Sequence, residues 1–264
     1  MNFNQVNTEQ DAYWLGFIMA DGYLYSNKKK GRYQLIIGLA EKDKGHLIKL
    51  AQEFKINHCL QYIRQNKSWR LTISNKQIYT NLRRLRDEKI ENRAFPEMNN
   101  NLKRHFIRGF FDGDGCVHYD TKRGTHISIW TPEKKLLQQM QRCLIKGVNL
   151  HSNSLHKSKT KNCYYIQYSG NWQGCRILNY LYKDSNVYLD RKFELAQKII
   201  KKYYDIAFKN NPYSGKRYNK KDSEKVVNLF KQNNNVKQTA TQLKISRNSI
   251  YRMLQKVGLK DTNL

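Results

Sequence analysis

Two nine-residue segments of this 264-residue chain, WLGFIMADG from Trp14 to Gly22 and IRGFFDGDG from Ile107 to Gly115, share one pattern: apolar, any, Gly, aromatic, apolar, any, small, Asp, Gly. They lie 93 residues apart throughout. A repeat at a fixed offset means one structural unit used twice. The stretches after the two copies are also alike. A segment alternating apolar and polar residues (Tyr33 to Leu39; His126 to Trp130) leads into a helical stretch (Asp43 to Phe54; Pro132 to Ile145). Two strand-like runs come next, 58–65 and 68–74 in one half, 149–157 and 162–169 in the other. Each half therefore reads helix, two strands, helix, two strands, helix, an α+β arrangement.

One copy of the motif alone reads as a buried helix closed by a glycine C-cap. Two copies say more. Gly16 and Ala20 are four apart, as are Gly109 and Gly113, so each helix carries a stripe of small residues along which another backbone can approach closely. Asp21 and Asp114 fall in the last turns. If the stripes meet, the two carboxylates meet at one end of the interface. Like charges repel there, and a helix C-terminus is already negative. A divalent cation would relieve both conflicts, and hard carboxylate oxygens with phosphate oxygens suit Mg2+, so the pattern points to metal-assisted phosphodiester hydrolysis.

Charge supports such a partner. Lys and Arg number 49 against 21 Asp and Glu, a net charge of +28 spread along the whole chain. Nucleic acid is the expected polyanion. No apolar run reaches the ~18 residues of a membrane span, and the chain does not open like a signal peptide, so a soluble, intracellular protein is expected. Cys59, Cys116, Cys143, Cys163 and Cys175 are odd in number and scattered, which suits reduced packing residues rather than disulfides or zinc. The histidines are scattered without zinc-ligand spacing; His118, close to the second motif, is the one candidate among them, and it reads as a strand residue.

The paired segments resemble the motifs of LAGLIDADG homing endonucleases, over about residues 10–204 including the order of elements. Matched position by position, Asp21 and Asp114 take the place of the catalytic metal ligands, with Ala20 and Gly113 as their backbone neighbours at the metal, and Gly16, Gly22, Gly109 and Gly115 that of the motif glycines. Trp14, Leu15, Met19, Arg108 and Gly113 depart from the consensus without removing an acidic group. LYKDSNVYLDRKFE, from Leu181 to Glu194, is similar to a closing segment common in phage and bacterial members. The resemblance implies two pseudo-symmetric αββαββα halves (8–100 and 101–206) with saddle-shaped antiparallel sheets in the major groove. It implies a monomer cutting both strands of a long asymmetric duplex near its centre, leaving short 3' overhangs, with Mg2+ as cofactor and Mn2+ or Ca2+ able to substitute in binding. It also implies a basic residue near the acidic centre; Glu41 and Lys42 are the candidates in the first half, Lys122 and Lys161 in the second.

Strand alternation says which side chains would face DNA. Leu35, Ile37 and Leu39 point to the helices and Arg32 and Gln34 away; Arg70 and Thr72 lie opposite Trp69, Leu71 and Ile73; His126 and Ser128 lie opposite Ile127 and Ile129. These outward residues, with Arg64, Arg123 and Lys161, have donors and acceptors for bases and phosphates. The KKKGR run at 28–32, including Lys28, reads as a phosphate-touching loop.

Past Phe208 the composition turns to Asn, Lys, Pro and Gly without apolar periodicity, so 207–220 reads as a linker and 221–264 as a second domain. Its helices are expected around Val226, Val227, Leu229 and Phe230, from Val236 to Leu243, and from an N-capping Ser246 through Ile250 to Leu254. TATQLKISRNSIYRML resembles helix-turn-helix segments, with Ala240 at the tight contact, Ile245 in the turn and Ile250 buried, although Lys244 replaces the usual Gly. The resemblance puts Arg247, Asn248, Ser249, Tyr251 and Arg252 on a DNA-recognition helix. Two alternatives share this architecture: a non-cleaving transcription regulator, which has no need of both aspartates, and a maturase acting on intron RNA.

Overall fold

The computed structural model describes residues 1–56, 60–86, 89–150, 153–209, 220–243 and 245–257. They form two compact units, Met1–Asn210 and Asn211–Leu264.

The larger unit holds the repeat. Its first half runs α1 (Glu9–Asp21), β1 (Gly22–Asn27), β2 (Arg32–Ala40), α2 (Lys44–Glu53), β3 (Leu60–Ile63), β4 (Ser68–Ser74) and α3 (Lys76–Leu85). The second runs α4 (Lys103–Asp114), β5 (Gly115–Asp120), β6 (Gly124–Thr131), α5 (Lys134–Val148), β7 (His156–Lys157), β8 (Tyr164–Ser169) and α6 (Asn171–Tyr182), and α7 (Asp190–Tyr204) comes after it. Both sheets are antiparallel and four-stranded, in the orders β1-β2-β4-β3 and β5-β6-β8-β7. The αββαββα order expected from the repeat is present twice. One expected strand is shorter: among the described residues of 149–157 only His156 and Lys157 pair with β8, because α5 runs on to Val148 and closes at Asn149 in the left-handed conformation. Cys59, His151 and Ser152, parts of two expected strands, lie outside the described residues.

Local chemistry sets the ends of α1. Thr8 Oγ1 accepts the Asp11 N–H at 3.1 Å and Asp11 Oδ2 accepts the Thr8 N–H at 3.2 Å, a reciprocal capping box that satisfies helix-end donors. At the far end Gly22 and Gly115 do not adopt the left-handed conformation of a glycine C-cap; their φ angles are −81° and −84°. They are glycine because the chain doubles back tightly: a Cβ would lie 2.5 Å from Ile18 O at one and 2.1 Å from Phe111 Cδ2 at the other.

Alternate strand residues pack inward as the pattern predicted. Leu35, Ile37, Leu71 and Ile73 are buried in the first sheet, and Ile127, Ile129, Ile166 and Tyr168 in the second, against helices of their own half. The same core takes in Phe3 and Val6 ahead of α1, and Ala207 beyond α7, whose carbonyl accepts from Arg176 Nε at 2.9 Å. At its middle α1 and α4 pack on each other. A Cβ on Gly16 would sit 2.1 Å from Phe106 O, and one on Gly109 only 1.9 Å from Tyr13 O. Each glycine therefore faces the other helix's backbone.

The described residues of the smaller unit form three helices, α8 (Lys220–Asn233), α9 (Val236–Leu243) and α10 (Arg247–Lys256), around Val226, Phe230, Val236, Ala240, Ile250, Met253 and Leu254. Ser246 Oγ accepts the Ser249 N–H at 3.2 Å, as an N-cap would, and Ile245 packs against the core from the turn. Lys244, most of the 207–220 segment and residues beyond Val257 lie outside the described residues.

Gly109→Ala is expected to push α1 from α4 and lower stability by about 1–3 kcal/mol, read from urea unfolding. An Ala at Gly45, where a Cβ would meet nothing within 4 Å, is the control. Equal stability of the two variants would show that backbone contact does not hold the helix pair.

Candidate functional site

The close approach of α1 and α4 decides where their ends lie. A Cβ on Gly113 would stand 2.6 Å from Ala20 Cβ and 3.1 Å from Asp21 Oδ2, so the Asp21 carboxylate rests against the last turn of the opposite helix. Asp114 ends that turn. Both carboxyls are held well above the usual carboxylate range. Asp21 is pushed up to about 6, first by burial and then by Asp43, against the opposing pull of Lys192 and Arg191. Asp114 is pushed up to about 7 by burial, then by Asp21 and Glu133, with Lys192 opposing. Although the Asp114 side chain reaches solvent, protein packed behind it withholds much of its hydration.

At each helix end a cation is held by backbone carbonyls, half-buried in one case (Arg86) and buried in the other (Lys192). Arg86, just past α3, donates from Nη2 to Ile18 O at 2.8 Å and Met19 O at 3.4 Å, and from Nη1 to Gly22 O at 3.0 Å. Lys192, in the first turn of α7, donates from Nζ to Phe111 O at 2.6 Å, Asp112 O at 2.9 Å and Gly115 O at 2.6 Å. The repeat offset turns 18, 19 and 22 into 111, 112 and 115, so the two cations occupy equivalent carbonyl cages. They supply donors and positive charge where a helix lacks both.

Lys192 is held by a second layer. Asp112, fully enclosed, accepts from Tyr13 Oη at 2.7 Å, Tyr182 Oη at 2.5 Å and Leu189 N at 2.9 Å. Burial pushes the Asp112 carboxyl up while Lys192 and these donors oppose the rise; burial likewise pushes Lys192 down to about 8 while Asp112 opposes it. Next along α7, Arg191 Nε donates to both oxygens of Asp43 at 2.8 and 3.1 Å, and Lys49 Nζ lies 2.5 Å from Asp190 Oδ1. The start of α7 is thereby tied to both halves.

Two family models match the chain, one described as "WhiA LAGLIDADG-like domain" over residues 10–89 and one as "LAGLIDADG-like domain" over residues 101–182. Together they span more than half of it. The chain belongs to the LAGLIDADG family. No curated protein matches it in sequence. Among solved structures it is similar to mesophilic variants of the homing endonuclease I-DmoI, at 20% identity over 75% of this chain and 100% of that one, with a TM-score of 0.53. A crystal structure of I-DmoI in complex with DNA and Ca gives the same values, and a point variant of I-SmaMI matches at 14% identity over 75% and 92% with a TM-score of 0.51. These likenesses place the double αββαββα unit in the LAGLIDADG fold.

Strand register then locates the other residues singled out in the sequence. The LAGLIDADG aspartates immediately precede β1 and β5, whose first residues pair with Ile37 and Ile129. Lys42 lies just past the end of β2 on that same side and is exposed. Its register equivalent is Lys134, not Lys122. Lys122 sits in the turn after Asp120, whose Oδ1 accepts its N–H, at the far end of a six-residue strand and so about 16–20 Å from Asp114. Lys122 is thus excluded from the acidic centre. Lys161, in the turn before β8, is exposed on the near side.

Arg32, Gln34, Thr72 and Arg70 lie on the sheet face turned from the helices, with Gln34 Nε2 donating to Ser74 Oγ at 3.1 Å. His126 shares the corresponding face of the second sheet, its Nδ1 3.0 Å from Ser169 Oγ. Ser128 lies on that face too but is 5% exposed, because Trp130 covers it and donates from Nε1 to its Oγ; it is not available as an open base contact. Lys28, Arg64 and Arg123 stand exposed in the connections between strands. His118 is exposed on β5. In the smaller unit Arg247, Ser249 and Tyr251 lie on α10; the side chains of Asn248 and Arg252 are outside the described residues. The free cysteines Cys116, Cys143, Cys163 and Cys175 form no disulfide with one another.

Arg86 and Lys192 escaped the sequence reading because they stand outside the motifs and are not 93 residues apart. The RK pair in the closing segment was the available signal for Lys192.

Two outcomes test these electrostatics. Unfolded carboxyls release protons near pH ~4, whereas folded Asp21 and Asp114 hold theirs to about 6 and 7. The folded state therefore binds more protons between about pH 4 and 7, and the metal-free protein should lose stability as pH rises through that window. Asp114→Asn should flatten the slope, read as Tm against pH in EDTA; an unchanged slope would refute the assignment. Separately, Lys192→Met should cost about 3–5 kcal/mol in urea unfolding by stranding Asp112, and Lys192→Arg distinctly less. Equal losses would mean that volume rather than charge matters at that position.

Proposed function

We propose that this chain is a site-specific DNA endonuclease that breaks both strands of a long, asymmetric duplex by divalent-metal-assisted hydrolysis. The observation that carries this reading is the retention of both aspartates at the end of a glycine-packed helix pair, in surroundings that disfavour two adjacent anions. Their oxygens are hard donors, and two carboxylates completed by water and phosphate suit Mg2+, with Mn2+ or Ca2+ as substitutes in binding. No group of three or more His, Cys, Asp or Glu able to enclose a metal exists among the described residues. When bound, the metal would supply Lewis acidity and an activated water.

The protein's own residues do the rest. Arg32, Gln34, Arg70, Thr72 and His126 on the outward sheet faces read or hold the duplex, with Lys28, Arg64, Arg123 and Lys161 on its phosphates. Two non-identical sheets in one chain support a monomer and an asymmetric target. Arg86 and Lys192 set the helix ends, and Lys42, with Lys134 as its register equivalent, brings positive charge to the phosphate side. The three-helix unit extends the contact through α10, with Arg247, Asn248, Ser249, Tyr251 and Arg252 at a major groove. The domain limits are read as 8–100, 101–206 and 221–264, except that the packing of Phe3, Val6 and Ala207 in the core of the larger unit moves its limits outward and takes 207–209 out of the expected linker. No described helix is long and apolar enough to cross a membrane.

One observation favours a second reading. The first half matches a model bearing the WhiA name, and a regulator would use the same sheets and three-helix unit without cutting. A plasmid carrying the uninterrupted sequence around the gene's own insertion point separates the two. With Mg2+ it should be linearised at one site, and EDTA should stop this. Asp21→Asn or Asp114→Asn should keep duplex affinity while slowing cleavage beyond the ~10–100-fold typical of outer-shell changes at metal sites. Specific binding without cutting would establish the regulator, and preference for the intron RNA over the duplex a maturase.

A further inference from the structure

The outward faces of the two sheets differ in the row one step past Ile37 and Ile129, the partners of the glycines that follow Asp21 and Asp114. In the second half Trp130 pairs with Tyr165 and Tyr165 with His156 across three strands. Their rings are stacked: Trp130 and Tyr165 have centroids 4.2 Å apart at 16°, Tyr165 and His156 5.1 Å apart at 25°. The equivalent row of the first half is Gly38, Arg70 and Gln61. A Cβ on Gly38 would meet only Trp69 O, at 3.9 Å, so open space stands where the second half has an indole.

The aromatic row stops short on one side. β5 begins at Gly115, opposite Ile129, so no β5 residue pairs with Trp130; the residue ahead of Gly115 is Asp114. Trp130 is 37% exposed, and the hydrogen bond from its Nε1 to Ser128 Oγ at 3.1 Å fixes the indole. The row thus ends in a pinned, accessible ring beside one catalytic aspartate.

We propose that Trp130 is a stacking site for one nucleobase, drawn out of the duplex stack next to the cleavage centre on the second-half side. This rests on the reading that the outward faces bind duplex DNA. Stacking of a base on an aromatic ring contributes about 1–3 kcal/mol, while unstacking costs a few kcal/mol and least at a mismatch or a flexible pyrimidine–purine step. The two nearly balance on a matched duplex, so Trp130 discriminates by how easily the central step opens. Gly38 gives the first half no such device.

The test uses the full chain in EDTA and a duplex recovered by selection from a randomised pool. Single mismatches are placed one at a time across its centre, and affinities are measured for the wild type, Trp130→Ala and Trp130→Phe. Wild type should bind about tenfold tighter, ~1.4 kcal/mol, when the mismatch lies on one side of the centre and not the other. Trp130→Ala should abolish that gain and Trp130→Phe retain most of it. The proposal is overturned if Trp130→Ala keeps the gain, or if the wild type selects a duplex but shows no one-sided gain. If no sequence is enriched, duplex reading by the sheets fails and the stacking site with it.

Discussion

Contact between the backbones of α1 and α4 governs the rest of this structure. Gly16 and Gly109 each face a carbonyl of the opposite helix at a distance that no side chain could share. Such an approach leaves no room to splay the helix ends apart, so Asp21 and Asp114 must come together. The glycines therefore do more than permit packing. They convert a packing preference into a concentration of negative charge at one end of the interface, where the helix dipoles already point the wrong way.

That concentration explains otherwise costly features. Half-burying Arg86 and fully burying Lys192 are unfavourable in isolation, and desolvation lowers the proton affinity of both. Each is retained where three carbonyls at a helix end lack donors, so desolvation is offset by hydrogen bonds as well as charge. Lys192 then needs Asp112, and Asp112 needs the hydroxyls of Tyr13 and Tyr182 and the Leu189 N–H. At the opposite end of the helix pair Arg108, fully buried, reaches Glu9 at 2.7 Å and the carbonyls of Leu181 and Val187. Residue 108 departs from the motif consensus because here it anchors the closing segment to both helices.

Features set by periodicity were legible in the sequence. The helix pair, the αββαββα order, the inward strand residues and the pairing of Asp21 with Asp114 all derive from repeats of 2, 3.6 and 93 residues. Features set by position across the fold were not. Lys122 looked close to Asp114 in sequence but a whole strand separates them, and Ser128 had the outward parity of its strand but lies beneath Trp130. Arg86 and Lys192 reach equivalent cages from segments that come after α3 and α6 by different lengths, so no offset relates them. Long side chains with freedom to reach are the part of a site that spacing encodes least.

The same contrast bears on how a duplicated fold acquires direction. Positions fixed by the helix interface are constrained in both halves at once, since altering one glycine or aspartate disturbs the partner helix. Positions on the outward sheet faces meet no such demand, and there the halves have diverged: Gly38, Arg70 and Gln61 in one, Trp130, Tyr165 and His156 in the other. Symmetry is thus kept where the two helices touch and lost where the strands face outward. A near-symmetric acidic centre can in this way be combined with recognition surfaces of unlike chemistry, one offering guanidinium and amide groups and the other an aromatic stack.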